Sequence, residues 1–332
     1  DAAICAGMRT LLEQWGCRVN TALNEEELAG QGGLRFEFED FDWGGDYYRK
    51  HGVMMPADGL DALRDKDAIL FGSAGDPHIA DHITLWGLRL KICQGFDQYA
   101  NVRPTRILPG IDAPLKRCAP AQLDWVIVRE NSEGEYSGVG GRVHQGHPIE
   151  AATDVSIMTR AGVERILRFA FRLAQSRPRK LLTVITKSNA QRHAMVMWDE
   201  IALQVSREFP DVTWDKELVD AATARMVNRP ASLDTIVATN LHADILSDLA
   251  AALAGSLGIA PTGNIELDAV HLLAFVQPDV ANAFAQADIE LPLNSKAQYA
   301  AASQYVSLDD LQVVGVEDLL VVPDAERLVE GA

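Results

Sequence analysis

The chain has 332 residues, more than one hydrophobic core usually organises, so two lobes are expected rather than one compact domain. Its 48% hydrophobic and 23% charged content is that of an ordinary globular protein and excludes a disordered, collagen-like or disulfide-dense chain. Thirty Lys plus Arg against 47 Asp plus Glu leave a net charge of −17, which would repel a phosphate backbone and argues against a nucleic-acid partner.

Cys5, Cys17, Cys93 and Cys118 lack the paired spacing of metal ligands and read as reduced thiols. The start, Asp1-Ala2-Ala3-Ile4, has no basic segment leading into an apolar one, and no apolar stretch approaches membrane-spanning length. The expectation is a cytoplasmic protein with no membrane partner.

In chain order, Ile4, Met8, Leu11, Leu12 and Trp15 recur at helical spacing before Gly16 and predict a helix over Ala3 to Trp15. Alternation over Leu34 to Asp42 and the apolar run Ala68 to Gly72 predict strands. So do Trp125 to Val128, Leu181 to Ile185 and Thr235 to Ala238, each followed by polar residues able to do chemistry. The glycine-rich stretch Ser137 to Gly141 reads as a turn or hairpin. Helical patterns cover Gly162 to Ala174, Ala190 to Glu208 and Ala243 to Ala254. In the tail, Val270 to Phe275 is an apolar run, Val280 to Ala287 a predicted helix and Leu319 to Val322 a predicted strand. Strands alternating with helices predict an α/β fold.

Asp244 and Asp248 lie four apart at a helix start, hence on one face, and their hard oxygens suit Mg2+ or Mn2+. Taken alone, acidic residues near a helix start are more often a structural choice that suits the helix dipole. Here they follow Asn240 and His242 directly after a strand, the position at which open α/β sheets bind ligands. Arg89, Arg103 and Arg129 stand in polar spots of an otherwise acidic chain, and arginine pairs bidentately with carboxylates. Lys187 and Tyr136 have the chemistry of a general base and a proton donor. His193 and His242 read as structural residues.

Four segments taken together resemble the β-decarboxylating dehydrogenases, the family of the isopropylmalate, isocitrate, D-malate and tartrate enzymes. They are Gly95 to Pro104 (GFDQYANVRP), Val128 to Tyr136 (VRENSEGEY), Thr186 to Asn189 (TKSN) and Asp244 to Asp248 (DILSD). Phe41 to Gly44, His51 to Pro56 and Asp81 to Gly87 are most similar to the tartrate and D-malate branch. The resemblance implies an isopropylmalate-dehydrogenase-like, two-lobed α/β fold with a mixed sheet, distinct from a Rossmann dinucleotide fold. Residues 1–98 with 252–332 would form the larger, nucleotide-side domain, and residues 99–251 the smaller substrate, metal and dimerisation domain.

For the site, the resemblance implies that Arg103 and Arg129 grip the carboxylates of a small 2-hydroxy dicarboxylic acid such as D-malate or tartrate. Tyr136 and Lys187 would move protons, and Asp220, also a catalytic candidate, would join Asp244 and Asp248 as ligands of Mg2+ or Mn2+. Asn189 would touch NAD. Lys187 and Asp220 would serve the partner's site in a homodimer. The family's leading arginine, ten residues before Arg103, is replaced by Cys93, and Arg89 is the candidate to stand in for it. The family's opening strand and glycine loop have no counterpart before Ala3, nor its adenosine-cradling loop in Ile265 to Ala332. A second reading is therefore a non-catalytic homologue that keeps the dicarboxylate and metal pocket without a competent NAD site.

Overall fold

In a computed structural model, the described residues are 39–66, 68–72, 75–107, 111, 113–115, 118–119, 122–257, 260, 262–266 and 274–275. The helix expected over Ala3 to Trp15, the helix Val280 to Ala287 and the strand Leu319 to Val322 lie outside them, as does most of Leu34 to Asp42.

The frame is a six-stranded sheet in the order β7-β6-β8-β3-β2-β9. Strands β3 (Asp124–Glu130), β6 (Leu181–Thr186), β7 (Thr213–Leu218) and β8 (Thr235–Ala238) run parallel, while β2 (Ala100–Arg106) runs antiparallel to both β3 and β9 (Gly263–Ile265). This is the mixed sheet expected. Its central strands are almost wholly buried because both faces are covered. Strand alternation sorts their side chains: Val128, Leu182, Val184 and Val237 join one apolar cluster, and Trp125, Ile127, Ile185 and Ile236 join the other.

Helices α5 (Arg160–Ser176) and α6 (Ala194–Val205) complete the first cluster, and α7 (Val219–Asn228) and α8 (Asn240–Ala254) the second. In α5 the buried residues Val163, Ile166, Leu167, Ala170, Phe171 and Ala174 form one stripe of period 3.6. Thr159 caps its start by accepting from the Gly162 amide at 3.0 Å, and Arg177 ends it, extended, before Pro178. Helix α8 stops at Gly255, which takes a left-handed conformation while the Ser256 amide bonds to the Ala251 carbonyl.

Before the sheet come α1 (Gly45–His51), α2 (Gly59–Leu63), the short strand β1 (Leu70–Phe71), and α3 (Asp81–Thr84), which runs through a π-helical turn, Leu85–Arg89, into α4 (Leu90–Gly95). Strand β1 pairs in parallel with β10 (Ala274–Phe275). Met54, Met55, Leu63, Leu88 and Ile92 make a third apolar cluster there. No helix among the described residues is long and apolar enough to cross a membrane.

The hairpin alternative holds for Ser137 to Gly141, which lies in β4 (Gly134–Val143), paired antiparallel with β5 (Ala151–Ile157). Gly138 answers a close approach there: a Cβ on it, at φ +72°, would lie 2.9 Å from the Trp86 ring. Two expectations are corrected. The helix expected from Ala190 begins at Ala194, because the Ala190 and Gln191 amides both turn back to the Lys187 carbonyl. The described end of the Leu34 to Asp42 segment, residues 39–42, is not in a strand.

Phe171 carries much of the first cluster, being fully buried and stacked on Phe209 at a ring separation of 5.4 Å. Phe171→Ala is expected to cost about 3–5 kcal/mol of stability, read as a lower urea midpoint at an unchanged denaturant slope.

Candidate active site

The C-terminal ends of β3, β6 and β8 share one edge of the sheet with the start of antiparallel β2. Arg129 lies near the end of β3, in register with Asn101 on β2 and Ala238 on β8, and is fully buried. Arg103 projects from β2, also buried. Helix α8 follows β8 after one residue and brings Asp244, Ser247 and Asp248 to the same place.

Asp244 is the hub. Its Oδ1 pairs with the Arg129 guanidinium and accepts from Arg103 Nη2 at 3.3 Å, and its Oδ2 accepts from the Tyr136 hydroxyl at 3.2 Å. Arg103 also donates to Ser247 Oγ and to Asn101 Oδ1 and lies 3.6 Å from Asp248. Arg129 Nε donates to Asn240 Oδ1 at 2.8 Å, and its guanidinium lies over the Tyr136 ring, 5.3 Å from the centroid.

Arg89 ends the π-helical turn and adds a third guanidinium whose charge acts on Arg129, Asp244 and Tyr136. One turn later the buried Cys93 packs against Ile69 and Phe71, and burial pushes its thiol up, so it behaves as an apolar residue.

The electrostatics show cations held together at some cost. Burial, with Arg129 close by, pushes Arg103 down to about 9, and burial and Arg129 also lower Arg89. Burial alone would raise Asp244, but Arg129, Arg103 and Arg89 outweigh it and hold the carboxyl below its ordinary value. Burial, and then the Asp244 charge, raise both Asp248 and Tyr136, so the phenol stays protonated. Arg129 Nη2 is buried and has no hydrogen-bond partner among the described residues.

Lys187, just past β6, and Asp220, in the first turn of α7, pair with each other, and Asp220 is exposed. Among the described residues no three acidic, histidine or cysteine groups are placed to hold a metal, so Asp220 does not join Asp244 and Asp248 within one chain. Asn189 is exposed in the turn after β6. His193 sits at the start of α6, and His242 is buried in α8 with Nδ1 unpartnered among the described residues.

The expected list omitted the residues that hold the cluster: Asn101, Asn240, Ser247 and the glutamates beside Tyr136. Asn101 had a signal, standing two residues before Arg103 and so on the same strand face. Asn240 is a short polar residue at a helix start, where sequence alone reads it as a cap, while Ser247 lies inside α8 and Glu135 on β4, with no local pattern to mark them.

The isocitrate/isopropylmalate dehydrogenase family model matches residues 20–285. A probable tartrate dehydrogenase/decarboxylase of Agrobacterium vitis is 70% identical over 251 residues, covering 76% of this chain and 69% of that protein. The decarboxylating D-malate dehydrogenase of Escherichia coli K12 is 48% identical over 242 residues, covering 72% of this chain and 67% of that protein. Among solved structures, isocitrate dehydrogenase from Methylococcus capsulatus superimposes with a TM-score of 0.68 at 30% identity, covering 91% of this chain and 82% of that one. With the mixed sheet and the arginine–aspartate cluster at its edge, these likenesses establish that the chain belongs to the isocitrate/isopropylmalate dehydrogenase family, within the branch of the tartrate and D-malate dehydrogenase/decarboxylases.

Proposed function

We propose that the chain is a cytoplasmic enzyme that oxidises a small 2-hydroxy dicarboxylic acid such as D-malate or tartrate, with or without decarboxylation, using NAD and Mg2+ or Mn2+. The observation that carries this reading is the buried cluster of Arg89, Arg103 and Arg129 around Asp244, with Arg129 Nη2 left unpartnered. Crowded cations with a spare donor call for a further anion, and a carboxylate matches the guanidinium fork.

Arg103 and Arg129 would hold the substrate carboxylates and orient C2, with Arg89 in the place of the arginine lost at Cys93. Tyr136, kept protonated, would deliver a proton at its hydroxyl, and Lys187 would accept one. Asp244 and Asp248, one turn apart on α8, offer the hard oxygen donors that Mg2+ and Mn2+ take. When bound, the cation supplies Lewis-acid polarisation of the substrate oxygen and eases departure of the β-carboxylate. NAD would take the electrons, with Asn189 as a contact to it.

Separation of the Lys187–Asp220 pair from a metal set within one chain supports a homodimer in which that pair completes the site of a second copy. The two-stranded arm β4–β5 is a fitting surface for this, because Val139, Val143, Ile149, Val155 and Ile157 are exposed along and beside it.

Mixing the protein with NAD, Mn2+ and D-malate or tartrate is expected to raise NADH absorbance, and chelation of the metal should stop it. Binding of both acids without turnover would contradict the enzyme reading. Arg129→Gln should lower kcat/KM by about 100–1000-fold in that assay. Lys187→Ala and Asp244→Asn, each inactive alone, should recover activity when co-expressed as a mixed dimer; no recovery would argue against shared sites.

A further inference from the structure

Strand β4 and the residue before it run along the start of α8 and are joined to it by four hydrogen bonds. The Glu133 carbonyl accepts from Asn240 Nδ2 at 3.1 Å. The Glu135 carboxylate accepts from the Leu241 amide and the Thr239 hydroxyl, each at 3.2 Å. The Tyr136 hydroxyl reaches Asp244 one turn further on. Gly134, where the chain passes Asn240, holds φ +78°, a left-handed conformation that favours glycine.

The Thr239 hydroxyl does not cap its own helix; it turns to Glu135. A carboxylate from another element therefore caps the N-terminus of the 15-residue α8 and complements its dipole. That helix carries Asn240, which braces Arg129, Ser247, which braces Arg103, and both candidate metal ligands. A slide or rotation of α8 against β4 would change all four contacts together.

We propose that Glu135 is a positioning residue whose carboxylate locks the start of α8 to β4 and so sets the Tyr136–Asp244–Arg129 geometry. It touches neither substrate nor reacting atoms. This extends the function proposed above, and rests on it for the catalytic consequence. An ordinary cap would affect folding stability alone; a lock between the strand bearing Tyr136 and the helix bearing Asp244 affects turnover and metal affinity as well.

In the full-length protein, Glu135→Ala should lower kcat for D-malate or tartrate by about 10–100-fold with KM little changed. Mn2+ binding measured by calorimetry without substrate should weaken about 10-fold. Amide exchange over residues 240–244 should accelerate while α5 stays protected. Wild-type kcat and Mn2+ affinity in Glu135→Ala would overturn the proposal, whatever its melting temperature. Should the alanine variant fail to fold, Glu135→Gln, which keeps the volume and one accepting oxygen, is read the same way: kcat and Mn2+ affinity lowered together support the lock, and both unchanged overturn it. Should the wild type turn over neither acid, the functional reading fails; accelerated exchange over residues 240–244 in the variant would still support the lock, and unchanged protection there would overturn it.

Discussion

Arg129 is a cation with no accessible surface at the end of a central strand, and the site is built around partners for its guanidinium. Burying an ion costs several kcal/mol unless partners replace its water. Here the partners are Asp244, the Asn240 side chain and the Tyr136 ring, and none is on β3. Two come from α8 and one from β4, so β3, β4 and α8 must meet correctly before Arg129 is tolerated. Its Nη2 has no hydrogen-bond partner among the described residues and is the gap in that set.

The rest of the architecture serves this meeting. Two apolar clusters fix β3 and β8 side by side, and Asp244 follows β8 closely enough to inherit that placement. The antiparallel turn of β2 brings Arg103 to the same edge from the other direction. Arg89 arrives at the end of a π-helical turn, one turn before the small, buried Cys93.

Much of the fold was legible in the sequence where one physical signal dominated. The apolar stripe of α5 and the β-branched runs of β3, β6 and β8 announce themselves by period and burial. Strand β2 was hidden by Pro104, which discourages a central-strand reading; β9 pairs only with Ala100 to Val102, so no ladder bond is lost at the proline. In β4 the strand pattern was blurred by glycines, Gly138 against Trp86 and Gly140 against the Thr153 backbone, and in edge strand β7 by the charges Asp215, Lys216 and Glu217. For the site, Arg89, Arg103, Arg129, Tyr136, Asp244 and Asp248 were nameable from charge type and resemblance, and they do converge. Glu135 and Asn240 were not, because their value lies in joining elements far apart in sequence.

We propose that the spare donor of Arg129 anchors a substrate carboxylate. A crystal structure with tartrate and Mn2+ tests it most directly. A tartrate carboxylate oxygen is expected within hydrogen-bond distance of Arg129 Nη2, with Arg103 and Arg89 beside it. Tartrate bound away from Arg129, with Nη2 still unpartnered, would contradict it.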